Sequence, residues 1–159
     1  MSESLQVQGT SRAEKYESLL PQIKALVAGE SNRIANLANI MGALKYGMDF
    51  FWVGVYFAEK TELVLGPFQG PVACTRIPKN KGVCGTAFAE KKTIIVEDVE
   101  LFPGHIACSS LSRSEIVVPV FNETGEVMQI LDVDSTKLAD FDDTDKKYLE
   151  DLAVIMSTL

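Results

Sequence analysis

Residues 50–59, "FFWVGVYFAE", are aromatic and β-branched with a period of two, and a short polar turn separates them from "ELVLGPFQG" at 62–70. That pairing predicts a β-hairpin and the start of a sheet. Upstream the period is helical. Ser11 and Glu14 form a capping box ahead of Tyr16, Leu19, Leu20, Ile23, Leu26 and Val27, with Pro21 expected to kink or split the helix. A second helix is predicted after Ser31, carrying Ile34, Leu37, Ala38, Met41 and Leu44 on one stripe and closing near Gly47. Downstream come a short helix in "KGVCGTAFAEKK", strands in "TIIVEDV", "EIVVPVF" and "EVMQILDVD", and the long loop "ELFPGHIACSSLSRS". Asn122 and Gly125 suit the ends of a type I turn. Asp142, with Asp145 at N3, caps a last helix bearing Tyr148, Leu149, Leu152, Ile155 and Met156. The whole reads as one α+β domain over residues 1–159, a largely antiparallel sheet of about six strands packed with N-terminal and C-terminal helices. Residues 1–10 are expected as a flexible extension.

A 159-residue chain that is 47% hydrophobic can bury a continuous core. Its 22 acidic residues against 15 basic ones give a formal charge of −7, with the basic residues scattered. Such a field repels phosphate backbones and anionic lipid, so no nucleic acid and no membrane is expected as a partner. The polar start lacks the features of a secretory signal, and no apolar run is long enough to span a bilayer. A cytoplasmic setting with reduced thiols follows as the expectation.

The cysteines are Cys74, Cys84 and Cys108, and His105 is the only histidine. Together they could supply four zinc ligands, but only His105 and Cys108 are close in sequence, whereas zinc modules use two short-spaced pairs. Three inert core thiols are the bland alternative, and a redox pair is preferred. Cys108 is the nucleophile candidate, because it lies in a long loop rather than in an apolar strand. Backbone N–H groups, Arg113 and Ser109 or Ser110 are candidate donors to its thiolate. His105 either serves it as a base or locks the loop by a hydrogen bond, and the structural role is favoured.

Strand alternation sends Trp52, Gly54 and Tyr56 to one face and Phe51, Val53, Val55 and Phe57 to the other. Two rings flanking a glycine predict a slot for a small apolar or cationic group, against the alternative of plain core. Asp132 and Asp134 share a face inside an apolar strand. Glu115 lies opposite Asp132 if the intervening turn has two residues and opposite Val133 if it has three, and Pro119 hints at a bulge or edge that shifts the register again.

With those residues assembled, the chain resembles the free methionine (R)-sulfoxide reductases, single-domain members of the GAF fold family. The matching stretches are "FWVGVYF", "LGPFQGPVAC", "KGVCGTA", "FPGHIAC", "SEIVVPV" and "LDVDS", in order across residues 51–135. The resemblance implies that Cys108 is catalytic, that Cys74 is its resolving partner, and that Cys84 is a second redox-active or substrate-lining thiol. It implies that Trp52 and Tyr56 surround the substrate's methyl group, and that Glu115, Asp132 and Asp134 bind the substrate and supply protons.

The implied partners are free methionine sulfoxide and a thioredoxin-like reductant, with a homodimer allowed, no metal, and no bound cofactor beyond an external thiol. The residue types suit the reaction. A thiolate attacks sulfur, a protonated carboxyl donates to the oxygen, and a sulfenic acid condenses with a second thiol. The alternative is a non-catalytic GAF sensor of a small molecule. Sensors ordinarily feed an output domain, for which this length leaves no room.

Overall fold

The structure, a computed structural model, describes residues 4–106 and 108–159. Helices α1 (Arg12–Val27) and α2 (Arg33–Met48) precede the hairpin of β1 (Trp52–Ala58) and β2 (Glu62–Gln69). Then come β3 (Arg76–Pro78), α3 (Gly82–Glu90), β4 (Ile94–Val96), a 3-10 turn (Val99–Leu101), β5 (Ser114–Phe121), β6 (Val127–Ser135) and α4 (Asp143–Met156). The six strands form one sheet in the order β3-β2-β1-β6-β5-β4, antiparallel throughout. The α+β reading from the sequence holds. No helix among the described residues is long and apolar enough to cross a membrane.

Helices cover one face of the sheet. Leu19 and Ile23 of α1, Leu37, Ile40, Met41 and Leu44 of α2, and Leu149, Leu152 and Met156 of α4 pack on Val53, Val55, Ile116, Val118, Leu131 and Val133. The Ser11 and Asp142 capping boxes both form. A buried Asp145 ties α1 to α4: Tyr16 donates to it at 2.7 Å and Arg12 pairs with it at 3.1 Å. Residues 6 and 8 bond to the Gln22 and Ser18 side chains, so the N-terminal segment lies along α1.

Two helix expectations change. α1 runs unbroken through Pro21, because the fully buried Leu19 and Ile23 on either side hold it against the sheet. That anchoring offsets a proline cost of about 3 kcal/mol. On α2 the buried stripe is Asn36, Leu37, Ile40, Met41, Ala43, Leu44 and Met48, and Ile34 is 53% exposed, so Ile34 and Ala38 do not belong to it.

The register of β5 against β6 is neither of the two that turn length alone allows. The Asn122 N–H donates to the Glu126 carbonyl, and Gly125 N–H donates to the Asn122 carbonyl at 3.0 Å, so the turn is the three-residue form. By itself that puts Glu115 opposite Val133. A bulge follows: Phe121 pairs with Val127 but Val120 pairs with Gln129, leaving Met128 as the extra residue. The shift brings Glu115 opposite Asp134 and restores it to the acidic face. Pro119 stands beyond Val117, the last β5 residue paired to β4, where a missing N–H is tolerated.

Candidate active site

Opposite the three helices, the sheet is covered by α3 and by residues of the segments 70–75, 97–106 and 108–113. Across it runs a row of Trp52, Asp134 and Glu115 on neighbouring strands, and beside it a row of Gly54, Asp132 and Val117. Strand alternation therefore brings all three predicted acids to one place. Glu115 and Asp132 are buried, and Asp134 mostly so. Helix α3 lays Cys84 against them, with Sγ 3.7 Å from Glu115 Oε1. Asp132 Oδ1 is buried with no hydrogen-bond partner among the described residues.

Cys74 and Cys108 are joined by a disulfide with Cα atoms 5.2 Å apart, and Cys84 is the free cysteine. The bond links the loop after β2 to the loop before β5 over the acidic row. It also takes two of the four ligands that a zinc site with His105 would need. Trp52, Tyr56, Cys84, Cys108, Glu115, Asp132 and Asp134 all line one cavity of about 40 Å³.

The aromatic slot is filled from within. The Trp52 indole leans over Gly54, where a side-chain carbon would overlap it, and Gly70 lies against it in the same way. The indole stacks on Phe68 at 5.5 Å and on Tyr56 at 6.2 Å between centroids. Gly54 thus makes room for the neighbouring ring rather than for a ligand, and the cavity opens beyond the stack. Both rings also hold the next loop: Trp52 Nε1 donates to the Pro71 carbonyl at 2.9 Å, and the Tyr56 hydroxyl donates to the Cys74 carbonyl at 3.2 Å.

Burial dominates the electrostatics. It pushes the Glu115 and Asp132 carboxyls well above the ordinary range, and repulsion from neighbouring acids adds to the rise. Asp134 is pushed up by burial to about 6, with a Ser112 hydrogen bond opposing the rise. Burial and the same acids raise the Cys84 thiol. Asp134 is therefore the first of the three to ionise as pH rises.

A stability effect follows with a definite sign. Unfolded, the Asp134 carboxyl loses its proton near 3.8; folded, near 6. The folded state keeps the proton longer, so its stabilising contribution is complete below the lower value and is lost as pH climbs to the upper one. At pH 7 the buried charge costs about 3 kcal/mol. Asp134→Asn should raise unfolding free energy by about that much at pH 7 and by almost nothing at pH 3, read from urea titrations. An equal gain at both pH values would sink this account.

His105 differs from expectation. Its Nδ1 is buried without a hydrogen-bond partner among the described residues, and burial lowers its pKa. The loop is tied instead by backbone bonds, His105 N–H to the Phe102 carbonyl and Cys108 N–H to the Ile106 carbonyl. The Ser109 side chain accepts from Leu111 N–H. Sequence reading missed Ser112, the partner of Asp134, and Phe68, the third ring of the stack. Phe68 was legible as the alternate residue of a strand paired to Gly54; Ser112 carried no signal.

A family model described as GAF domain matches residues 36–159. A GAF domain-containing protein A of Dictyostelium discoideum is 57% identical over 98% of this chain and 99% of its own length. A free methionine-R-sulfoxide reductase of Escherichia coli is 44% identical over 89% of this chain and 86% of its own. The solved structure of the free methionine-R-sulfoxide reductase from Neisseria meningitidis, in complex with its substrate, is 50% identical. It superposes with a TM-score of 0.96 over 99% of this chain and 95% of that one.

Proposed function

This chain belongs to the GAF domain family and, within it, to the free methionine-R-sulfoxide reductases, and from that premise we propose that it reduces free L-methionine (R)-sulfoxide through Cys108. The observation that carries the mechanism is the Cys74–Cys108 disulfide lying over three clustered acids. The test is incubation with a dithiol and racemic free methionine sulfoxide. Half of the racemate should be consumed and an equal amount of methionine should appear. Absence of turnover would leave a binding module instead.

The Cys108 thiolate attacks the sulfoxide sulfur while a protonated carboxyl of the acidic set donates to the oxygen. The attack forms a sulfur–sulfur bond; the protonated oxygen then shifts from the substrate sulfur to the Cys108 sulfur as that bond breaks, so methionine leaves with an electron pair on its sulfur and Cys108 is left as sulfenic acid. The Cys74 thiolate attacks that sulfur, water departs, and the disulfide forms. A thioredoxin-like dithiol exchanges with it and leaves oxidised, restoring both thiols. Glu115 and Asp132, the more strongly raised acids, suit proton donation. Asp134, ionised near neutrality, suits the substrate's ammonium.

Free amino acid selectivity follows from that pairing. A peptide-bound residue presents a neutral amide where the free one presents an ammonium. In the disulfide state the cavity has room for about three waters. The whole substrate is therefore received by the reduced form, once the two loops part.

Tyr56 then has two duties, its ring beside the methyl group and its hydroxyl on the Cys74 carbonyl. Tyr56→Phe keeps the ring and removes a bond contributing about 1 kcal/mol. Methionine formation in a single turnover should stay within about twofold, while disulfide formation slows about fivefold, as that energy implies. Quenched samples assayed for methionine and for free thiols separate the two steps. Equal slowing of both would remove the proposed role in holding the Cys74 loop.

A further inference from the structure

The ligand atoms of Cys84, Glu115 and Asp132 all lie within 4.8 Å of one another, each side chain is buried, and they come from α3, β5 and β6. Tetrahedral zinc places a thiolate sulfur and a carboxylate oxygen about 3.5 Å apart, from metal distances of about 2.3 and 2.0 Å. The Cys84 Sγ to Glu115 Oε1 separation is 3.7 Å. Asp132 adds an independent sign: it is only 6% exposed, it lines this cavity, and among the described residues its buried Oδ1 has no hydrogen-bond partner, so that the Cys84 thiol and a protonated Glu115 are left as its nearest polar company. A buried acceptor of this kind is destabilising unless something else satisfies it.

We propose that Cys84, Glu115 and Asp132 form a binding site for a thiophilic divalent cation such as Zn²⁺, with the fourth position open to water in the cavity. One thiolate and two carboxylates match three-ligand zinc chemistry. They are too few oxygens for Ca²⁺, which takes six to eight. The cavity of about 40 Å³ accommodates an ion and a water even while the Cys74–Cys108 disulfide closes the site. The site is therefore accessible to metal in a redox state that excludes the amino acid. Its occupation neutralises the acids that substrate and proton transfer need. The ion thus acts as an inhibitor rather than as a working cofactor, a consequence that rests on the function proposed above, whereas binding itself does not.

The disulfide form makes a clean test, because Cys84 is then the one thiol left to bind. Protein oxidised with diamide, and checked for one free thiol per chain after denaturation, is titrated with Cd²⁺. The expected result is one ion per chain with an ultraviolet thiolate-to-cadmium charge-transfer band. The band should vanish in Cys84→Ser, and affinity should fall about tenfold or more in Glu115→Gln and in Asp132→Asn. Circular dichroism confirms that each variant is folded. No band in the oxidised wild type, a band that survives Cys84→Ser, or affinity unchanged in both acid variants overturns the proposal. None of these readouts depends on turnover, so failure here and failure of the reductase reading are distinguishable.

Discussion

Cys108→Ser should make no methionine from free methionine sulfoxide, a loss of at least about 10³-fold. A serine hydroxyl at neutral pH is a far weaker nucleophile than a thiolate, and the groups around it do little to activate it: His105 is held in a low-basicity setting, and Asp134, which shares the cavity and ionises near 6, is far too weak a base for a serine hydroxyl. Cys74→Ser should behave differently. It retains the attacking thiol, so one methionine per chain should appear without reductant, and the chain should then stop as a sulfenic acid. Cys84 is not placed to rescue it quickly, since burial and the surrounding acids keep its thiol protonated. Cys84→Ser should still form the Cys74–Cys108 bond. The measurements are methionine per chain without reductant and mass-spectrometric trapping of the sulfenic acid by dimedone. Cys108→Ser turnover within tenfold of wild type would falsify the assignment.

How much of this was legible in the residues differs by level. The strands and the caps at Ser11 and Asp142 were readable because their signals are local: a period of two, or a hydroxyl or carboxyl three residues ahead of an acid. Pro21 misled because its cost is local while its compensation, the anchoring of Leu19 and Ile23, is tertiary. Convergence of the acids was half legible. Alternation put Asp132 and Asp134 together, but Glu115 joined them only through a bulge at Met128, and Pro119, one residue before the shift, hinted at a bulge or an edge without saying which or by how much. The slot at Gly54 was read correctly as missing volume and wrongly as vacant, since the tilt of Trp52 along its strand is set by packing on Phe68. The disulfide pairing came from resemblance, not from spacing.

Glu115→Gln should lower kcat/KM about 10²-fold or more while the protein stays folded. Glutamine fills the same volume opposite Asp134 but holds no acidic proton, so the leaving oxygen loses one of its two donor carboxyls. The pH profile carries the sharper signature. In the wild type, activity should fall as pH rises through the raised carboxyl range, because the donor must be protonated. Within a coupled set the last proton leaves against the charges of the other acids, and removing one acid lowers that final value. The alkaline limb of Glu115→Gln should therefore move to lower pH by about one unit, the size of effect a neighbouring carboxylate produces. A limb that stays in place would mean that the titrating donor lies outside the acidic row. Substrate blocked at nitrogen provides the matching control. N-acetylmethionine sulfoxide lacks the ammonium assigned to Asp134, so the wild type should process it about 10²-fold less well, as expected when a charged hydrogen-bonded pair is lost from a buried site. If Asp134 is that partner, Asp134→Asn should narrow the gap between the two substrates, whereas Glu115→Gln should slow both and leave the gap standing.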